Sequence, residues 1–350
     1  MSESLASPAA LGGSRLSRSG GFVRRDGEWY SPNGDAISDA GTLTRLKKLA
    51  IPPAWLHVWA AEDSSARVQA TGVDSRGRTQ YRYAATATSA AASIKFDHML
   101  DFAAALPKVR SQVDADLRTG MGHQTLSARP VIASLVRLLD RGLFRVGNER
   151  YARDNHTYGL TTIRRNQLTV RSAAISFDFI GKEHIEHHIE LQDEGIARVL
   201  RQLLDQPLSP DEPLFALHEE KGGRAVHSTE VNAYLHAHTD APATAKMFRT
   251  WGATVAAASV MAGANANIES ASKTLKNRAV EAAARLLGDT PAVTRASYIH
   301  PLVFASGSLP GLSSPVADAS GRLGTDAVDV IFADAAVQSA VLAALRASSR

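Results

Sequence analysis

The chain has 350 residues, enough for two domains with separate cores, and its 44% hydrophobic and 21% charged residues are those of a globular protein. It has no cysteine, which excludes disulfides and thiolate metal sites, and no window approaching 18 uncharged apolar residues, so no membrane span is expected. Net charge is only +4 with a pI near 9.4, but Arg141 to Arg171 holds seven arginines against Glu149 and Asp154, a local excess that suits a surface facing a polyanion.

Met1 to Gly20 is rich in Ser, Ala and Gly and lacks the apolar run of a secretory signal. It reads as a flexible leader, and a cytoplasmic protein is expected. Residues 21–92 read as a small strand-rich domain. Tyr30 to Asp35 is turn chemistry, and Thr42 to Leu49 forms a short helix that stops before Pro52-Pro53. Val68-Gln69-Ala70 and Gln80-Tyr81-Arg82-Tyr83 are extended, with Asp74 to Arg78 turning between them. Ala84 to Ser93 is either a linker or a loose helix start.

From Ile94 the apolar period becomes 3.6, with Phe96, Met99, Leu100 and Ala103 on one face and Ile132, Leu135, Val136 and Leu139 on another. A strand-rich insert follows over Gly159 to Arg171 and Ala174 to Leu191, with a turn at Gly181. Helices resume with Ile196, Val199, Leu200 and Leu203, then Glu230 to His236, Ala245 to Met261 and Ala271 to Leu287. Residues 93–304 therefore predict a mainly helical catalytic domain with a small antiparallel sheet, and the whole chain an α+β fold. In the last segment, 305–350, eleven Gly, Ser or Pro among residues 305–324 predict a flexible connection, and Val328 to Arg346 a terminal helix.

His184, His187 and His188 cluster, but successive residues of a strand point to opposite faces, so the three do not readily converge on a metal. No metal or cofactor is expected. The glycines fit neither a phosphate loop nor a dinucleotide fingerprint, and no serine sits in a nucleophile elbow. What remains is a set of basic residues with one late tyrosine. Breaking a phosphodiester without a metal needs two guanidiniums to neutralise the non-bridging oxygens. It needs an acid for the leaving oxygen and a nucleophile, and tyrosine can serve when cations favour its ionised form.

Those parts stand in Phe144-Arg145-Val146-Gly147-Asn148-Glu149-Arg150-Tyr151, in Phe179-Ile180-Gly181-Lys182, in Lys246-Met247-Phe248-Arg249-Thr250-Trp251 and in Ser297-Tyr298-Ile299-His300-Pro301. Their wording and order resemble the type IB DNA topoisomerases, specifically the compact poxvirus-like and bacterial branch, from about Gly21 to Pro301. The resemblance implies Tyr298 as nucleophile, Arg145 and Arg249 as the phosphate-binding arginines, Lys182 as general acid and Lys246 as an assisting cation. It also implies relaxation of supercoils without ATP through a 3′-phosphotyrosyl intermediate, by a monomer that clamps duplex DNA and is associated with the nucleoid. Asp74 to Tyr83 resembles the family's groove-contacting segment, which makes Arg76, Arg78, Gln80, Tyr81 and Tyr83 candidate DNA contacts, with Tyr151 from the first motif. The alternatives are a tyrosine recombinase and a catalytically weak DNA-binding relative. The recombinases carry H-x-x-R where this chain has Lys246-x-x-Arg249.

One position departs from the family pattern. Nine residues before the nucleophile the family places histidine or asparagine, and this chain has Asp289. An ionised carboxylate accepts hydrogen bonds and repels phosphate. Asp289 is therefore protonated at the phosphate, or turns away to cap a helix or brace an arginine, or slows the enzyme. The second arrangement is the one expected.

Overall fold

The computed structural model describes residues 20–119, 126–219, 222–263, 271–305, 309, 311–325 and 327–349. The leader expected before Gly20 lies outside them. The chain divides into two units, Met1–Ile94 and Lys95–Arg350.

The first unit is a five-stranded antiparallel sheet with one helix. Its elements are β1 (Phe22–Arg25), β2 (Glu28–Tyr30), α1 (Ala40–Lys48), β3 (Leu56–Ala60), β4 (Val68–Val73) and β5 (Thr79–Tyr83), with strand order β2-β1-β3-β4-β5. Asp39 caps α1 by accepting from the Thr42 amide at 2.6 Å, and Arg45, Lys47 and Lys48 suit the negative end of the helix dipole. Leu46 of α1, Ala60 and Ala70 form the small core, with Phe22, Trp29 and Ile51 against it. Strand β5 lies at the sheet edge and alternates: Thr79, Tyr81 and Tyr83 are exposed while Gln80 and Arg82 are half-buried.

The second unit begins within α2 (Ala85–Thr119). The Ala/Ser/Thr stretch left open between linker and helix is helical from Ala85, since alanine favours a helix without an apolar stripe to bury. There follow α3 (Ala128–Gly142), α4 (Glu149–Asn155), the sheet β6 (Leu168–Arg171), β7 (Ala174–Ile180) and β8 (Glu186–Gln192), α5 (Glu194–Leu204), and the hairpin β9 (Ala216–Glu219) with β10 (Gly222–Ala225). Then come α6 (Ser228–His238), α7 (Ala245–Gly263), α8 (Ala271–Leu287), α9 (Pro291–Ser297), α10 (Leu302–Ala305), α11 (Ser313–Leu323), α12 (Val328–Ile331) and α13 (Ala335–Ser348). The α+β fold and its small antiparallel sheet are as expected. Of Gly159 to Arg171, only the last four residues form a strand. The rest makes two 3₁₀ turns, at Leu160–Thr162 and Arg165–Gln167, the second anchored by the Arg165 guanidinium on the carbonyls of Leu203, Leu204 and Gln206.

Helix α7 is the axis of this unit. Phe248, Trp251, Val255, Ala256, Ala257, Ala258 and Met261 are all buried, so the helix is covered around most of its circumference and is packed by α3, α8, α11, α12 and α13. The flexible connection expected over 305–324 is corrected over Ser313–Leu323, while 306–308 and 310 lie outside the described residues. Ser313–Leu323 is a helix with Val316 and Ala319 buried against the core, because the Gly/Ser/Pro count hid an apolar pair at i, i+3. The single terminal helix is also two, α12 and α13, since Asp334 takes the amides of Ala336 and Val337 as an N-cap and starts a new helix.

Candidate active site

The site assembles where helices end. Helix α3 stops at Leu143 in a left-handed conformation (φ 48°), which turns the chain into the Arg145 segment. That segment is pinned by the Leu160 amide on the Arg145 carbonyl and the Thr161 amide on the Val146 carbonyl, both at 2.8 Å. The two chains cross closely: a Cβ on Gly159 would stand 2.6 Å from the Gly147 Cα, and Gly147 itself has φ 102°. The glycine of the Arg-Val-Gly motif is thus a packing requirement that fixes where Arg145 starts.

Arg249 comes from the second turn of α7 and is 4% exposed. It docks on carbonyls freed at two helix ends, donating from Nη1 to Leu143 at 2.6 Å and from Nη2 to Leu287 at 3.0 Å. Asp289 follows α8 by two residues. Its Oδ2 accepts from Arg145 Nη2 at 2.7 Å and from Arg249 Nη2 at 3.5 Å, and its Oδ1 accepts from the Thr290 amide at 3.0 Å. The carboxylate braces both arginines, and Thr290, not Asp289, caps α9. Burial, and then the neighbouring Arg145, lowers the Arg249 pKa, opposed by Tyr298 and Asp289. Two donors are left over: Arg145 Nη1 and Arg249 Nε are buried with no hydrogen-bond partner among the described residues. Buried guanidinium donors without partners are costly, and an anion supplies what they lack.

Tyr298 ends α9, its amide on the Thr294 carbonyl at 2.9 Å. Lys246 and Arg249, one helical turn apart on α7, flank its ring: Arg249 Cζ is 5.2 Å from the centroid and Lys246 Nζ is 5.6 Å. The Thr254 hydroxyl, also on α7, accepts from the His300 amide at 3.1 Å, donates to the Thr250 carbonyl at 2.8 Å and lies 3.2 Å from the Tyr298 carbonyl, so it stands against the backbone on both sides of Ile299. Lys95 Nζ donates to the Ser297 carbonyl at 2.5 Å, and burial with the nearby Lys246 pulls its pKa down to about 8. His300 is buried against Phe96, and its Nδ1 accepts from the Leu302 amide at 3.2 Å. Burial lowers its pKa to about 4, so it is a neutral structural residue at neutral pH.

Lys182 stands in the turn between β7 and β8, where Glu183 and His184 have positive φ. Its side chain is 64% exposed and its ammonium lies 3.4 Å from the Glu183 carboxylate. It shares a cavity of about 300 Å³ with Arg145, Arg249 and His187. Tyr298 is not in that lining; Arg249 joins the cavity to the tyrosine. Arg249 and Arg145 thus share Asp289, Arg249 and Lys246 lie over the Tyr298 ring, and among the described residues Lys182 bonds to none of them directly. His187 and His188 point to opposite faces of β8: His188 bonds Asp178 at 2.6 Å, and the His187 ring stacks on Phe179 at 5.0 Å.

The expected DNA contacts fall on both units. Tyr151 is exposed on α4 of the second. In the first unit, Asp74 organises the turn by accepting from the amides of Arg76 and Arg78, from the Arg78 guanidinium and from Gln80 Nε2. These bonds hold the Asp74 pKa far below the usual carboxylate range. Tyr81 and Tyr83 are exposed and stacked with centroids 6.0 Å apart, on the face of β5 opposite Gln80. Lys95, Thr254 and His187 were not expected at the site. The i, i+4 spacing of Thr250 and Thr254 after Arg249 was a usable signal. Lys95 had none, and His187 had been weighed only as a metal ligand.

The model of the eukaryotic DNA topoisomerase I catalytic core matches residues 86–303, and that of the bacterial DNA topoisomerase IB N-terminal domain matches residues 28–74. The chain is 29% identical over 287 residues to DNA topoisomerase 1B of Acanthamoeba polyphaga mimivirus, covering 77% of this chain and 81% of that one. It is 23% identical over 295 residues to DNA topoisomerase 1 of Rabbit fibroma virus, covering 79% and 86% respectively. The first model spans more than half of the chain and contains every residue of the arginine–tyrosine site, and the chain belongs to the type IB DNA topoisomerases.

Proposed function

We propose that this topoisomerase cuts one DNA strand with Tyr298 and reseals it without ATP. The observation that carries this is Arg249, buried on α7, which lies over the Tyr298 ring and at the same time shares the Asp289 carboxylate with Arg145. A carboxylate held by two guanidiniums marks a place where a phosphate's oxygens fit, next to the tyrosine. In the cleavage step Tyr298 gives up its proton to solvent water and Oη bonds to phosphorus. The bond from phosphorus to the 5′ oxygen breaks, and Lys182 protonates that oxygen. The strand is held as a 3′-phosphotyrosine, and the 5′ hydroxyl reverses the step after rotation. The protein acts as a monomeric clamp on duplex DNA at the nucleoid, with Arg76, Arg78, Tyr81, Tyr83 and Tyr151 as DNA contacts; Gln80 acts through the Asp74 turn. The test is relaxation of supercoiled plasmid in chelator without ATP: wild type relaxes it and Tyr298→Phe does not. Near-wild-type relaxation by Tyr298→Phe would reject the assignment.

A further inference from the structure

His187 occupies a place that its sequence position on β8 does not explain. Its imidazole is wedged between two glycines that each precede a residue of the site. A Cβ on Gly181, before Lys182, would lie 2.5 Å from the ring Cδ2 and 2.6 Å from Nε2; a Cβ on Gly288, before Asp289, would lie 2.4 Å from Cε1 and 2.9 Å from Nδ1. Gly288 also has φ 56°. The chain therefore gives up side chains at both positions and a relaxed backbone at one, and the ring fills the space. The face of the ring rests on Phe179, which fixes its tilt. It lines the cavity with Arg145, Arg249 and Lys182, and it is half-buried.

Its two nitrogens are the unusual part. Among the described residues neither has a hydrogen-bond partner, although Arg145, Arg249 and Asp289 are all close enough to act on it electrostatically. Burial, then Arg145 and Arg249, hold the imidazole below its ordinary pKa, with Asp289 opposing, so the neutral ring carries one N–H donor at neutral pH. Asp289, the other polar side chain at this spot, only accepts. Arg145 Nη1 and Arg249 Nε are likewise unpartnered. Three unspent donors thus belong to one cavity, and the acceptor they await has several oxygens.

We propose that the His187 imidazole donates its N–H to a non-bridging oxygen of the scissile phosphate, as a third donor beside Arg145 and Arg249. This rests on the cleavage reading above and adds a catalytic residue to it. The donor sits on the same hairpin as Lys182, so docking the phosphate on His187 also brings the acid's turn to the leaving oxygen. A neutral donor suits the task, because it adds no third positive charge to the two arginines.

The experiment is single-turnover covalent adduct formation by the full chain on a nicked duplex whose short downstream strand dissociates after cleavage. His187→Phe keeps the ring and removes the donor; it is expected to slow adduct formation by about tenfold or more. His187→Gln restores a donor near Nε2 and should recover most of that loss. Asp289→Asn placed in the His187→Phe background puts an amide donor at 289 and should also recover rate, which a purely structural role for the ring would not allow. A rate for His187→Phe within about threefold of wild type overturns the proposal, as does a His187→Gln enzyme as slow as His187→Phe. If His187→Phe lacks a cooperative melting transition, His187→Leu replaces it under the same limits. Absence of adduct from wild type would instead overturn the Tyr298 assignment itself, and this proposal with it.

Discussion

At the scale of single residues, the site is a problem of like charge. Arg145 stands close enough to disfavour the cation of Arg249, which is almost fully buried. Asp289 answers both by lying between them, which is why an aspartate is stable at a position where it cannot donate to phosphate. The brace was legible in the sequence only as a choice among arrangements, because the direction of one side chain is set by tertiary neighbours. His300 was legible as part of the Ile-His-Pro motif but not as a buried group. Its pKa falls to about 4 in the folded chain, so between pH 6.5 and 4 the unfolded chain binds a proton that the folded one refuses. Stability is full above about pH 6.5 and declines as the pH falls towards 4, by up to about 3 kcal/mol. Urea unfolding at pH 7.5, 5.5 and 4.5 should show this decline, and His300→Gln should flatten it. His187, whose pKa is also lowered, adds a loss of the same sign as the pH falls below about 6.5, so a residual slope remains in that variant. An unchanged acid slope in His300→Gln would show that His300 is not the group responsible.

At the scale of elements, strongly patterned segments were readable and weakly patterned ones were not. The β4–β5 hairpin, the β7–β8 hairpin with Gly181 at its turn, and α7 all stand where period and turn chemistry put them. The Ala-rich start of α2 and the Gly/Ser/Pro-rich region of α11 have too few large apolar residues to show a period, and both are helical because neither sequence opposes a helix and packing decides. The β7–β8 hairpin carries Lys182, the proposed acid, on an exposed turn. Lys182→Ala should slow cleavage of ordinary DNA by about a hundredfold or more, as removal of a general acid does. A substrate with sulfur in place of the bridging 5′ oxygen needs no proton to leave and should recover most of the rate. If sulfur gives Lys182→Ala no more gain than wild type, the acid is another residue.

At the scale of the whole molecule, the net charge of +4 understates the DNA-facing chemistry, because acidic residues elsewhere offset a concentrated basic segment. With the exposed cations among the proposed DNA contacts acting mainly on phosphates, duplex affinity should fall steeply with salt, by about a hundredfold or more between 50 and 200 mM if five or more phosphates are engaged. Titration of a labelled duplex at both salt concentrations measures this; a slope near zero would mean that phosphate contacts do not carry binding. The chain divides into two units between Ile94 and Lys95, and no helix of the described residues is long and apolar enough to cross a membrane. The most direct test of the account is to trap wild-type protein on DNA by rapid denaturation in chelator without ATP, digest the adduct and sequence the peptide that carries nucleotide. The account predicts one modified peptide, with a 3′-linked nucleotide on Tyr298. A nucleotide on any other residue, or a 5′ linkage, would contradict it.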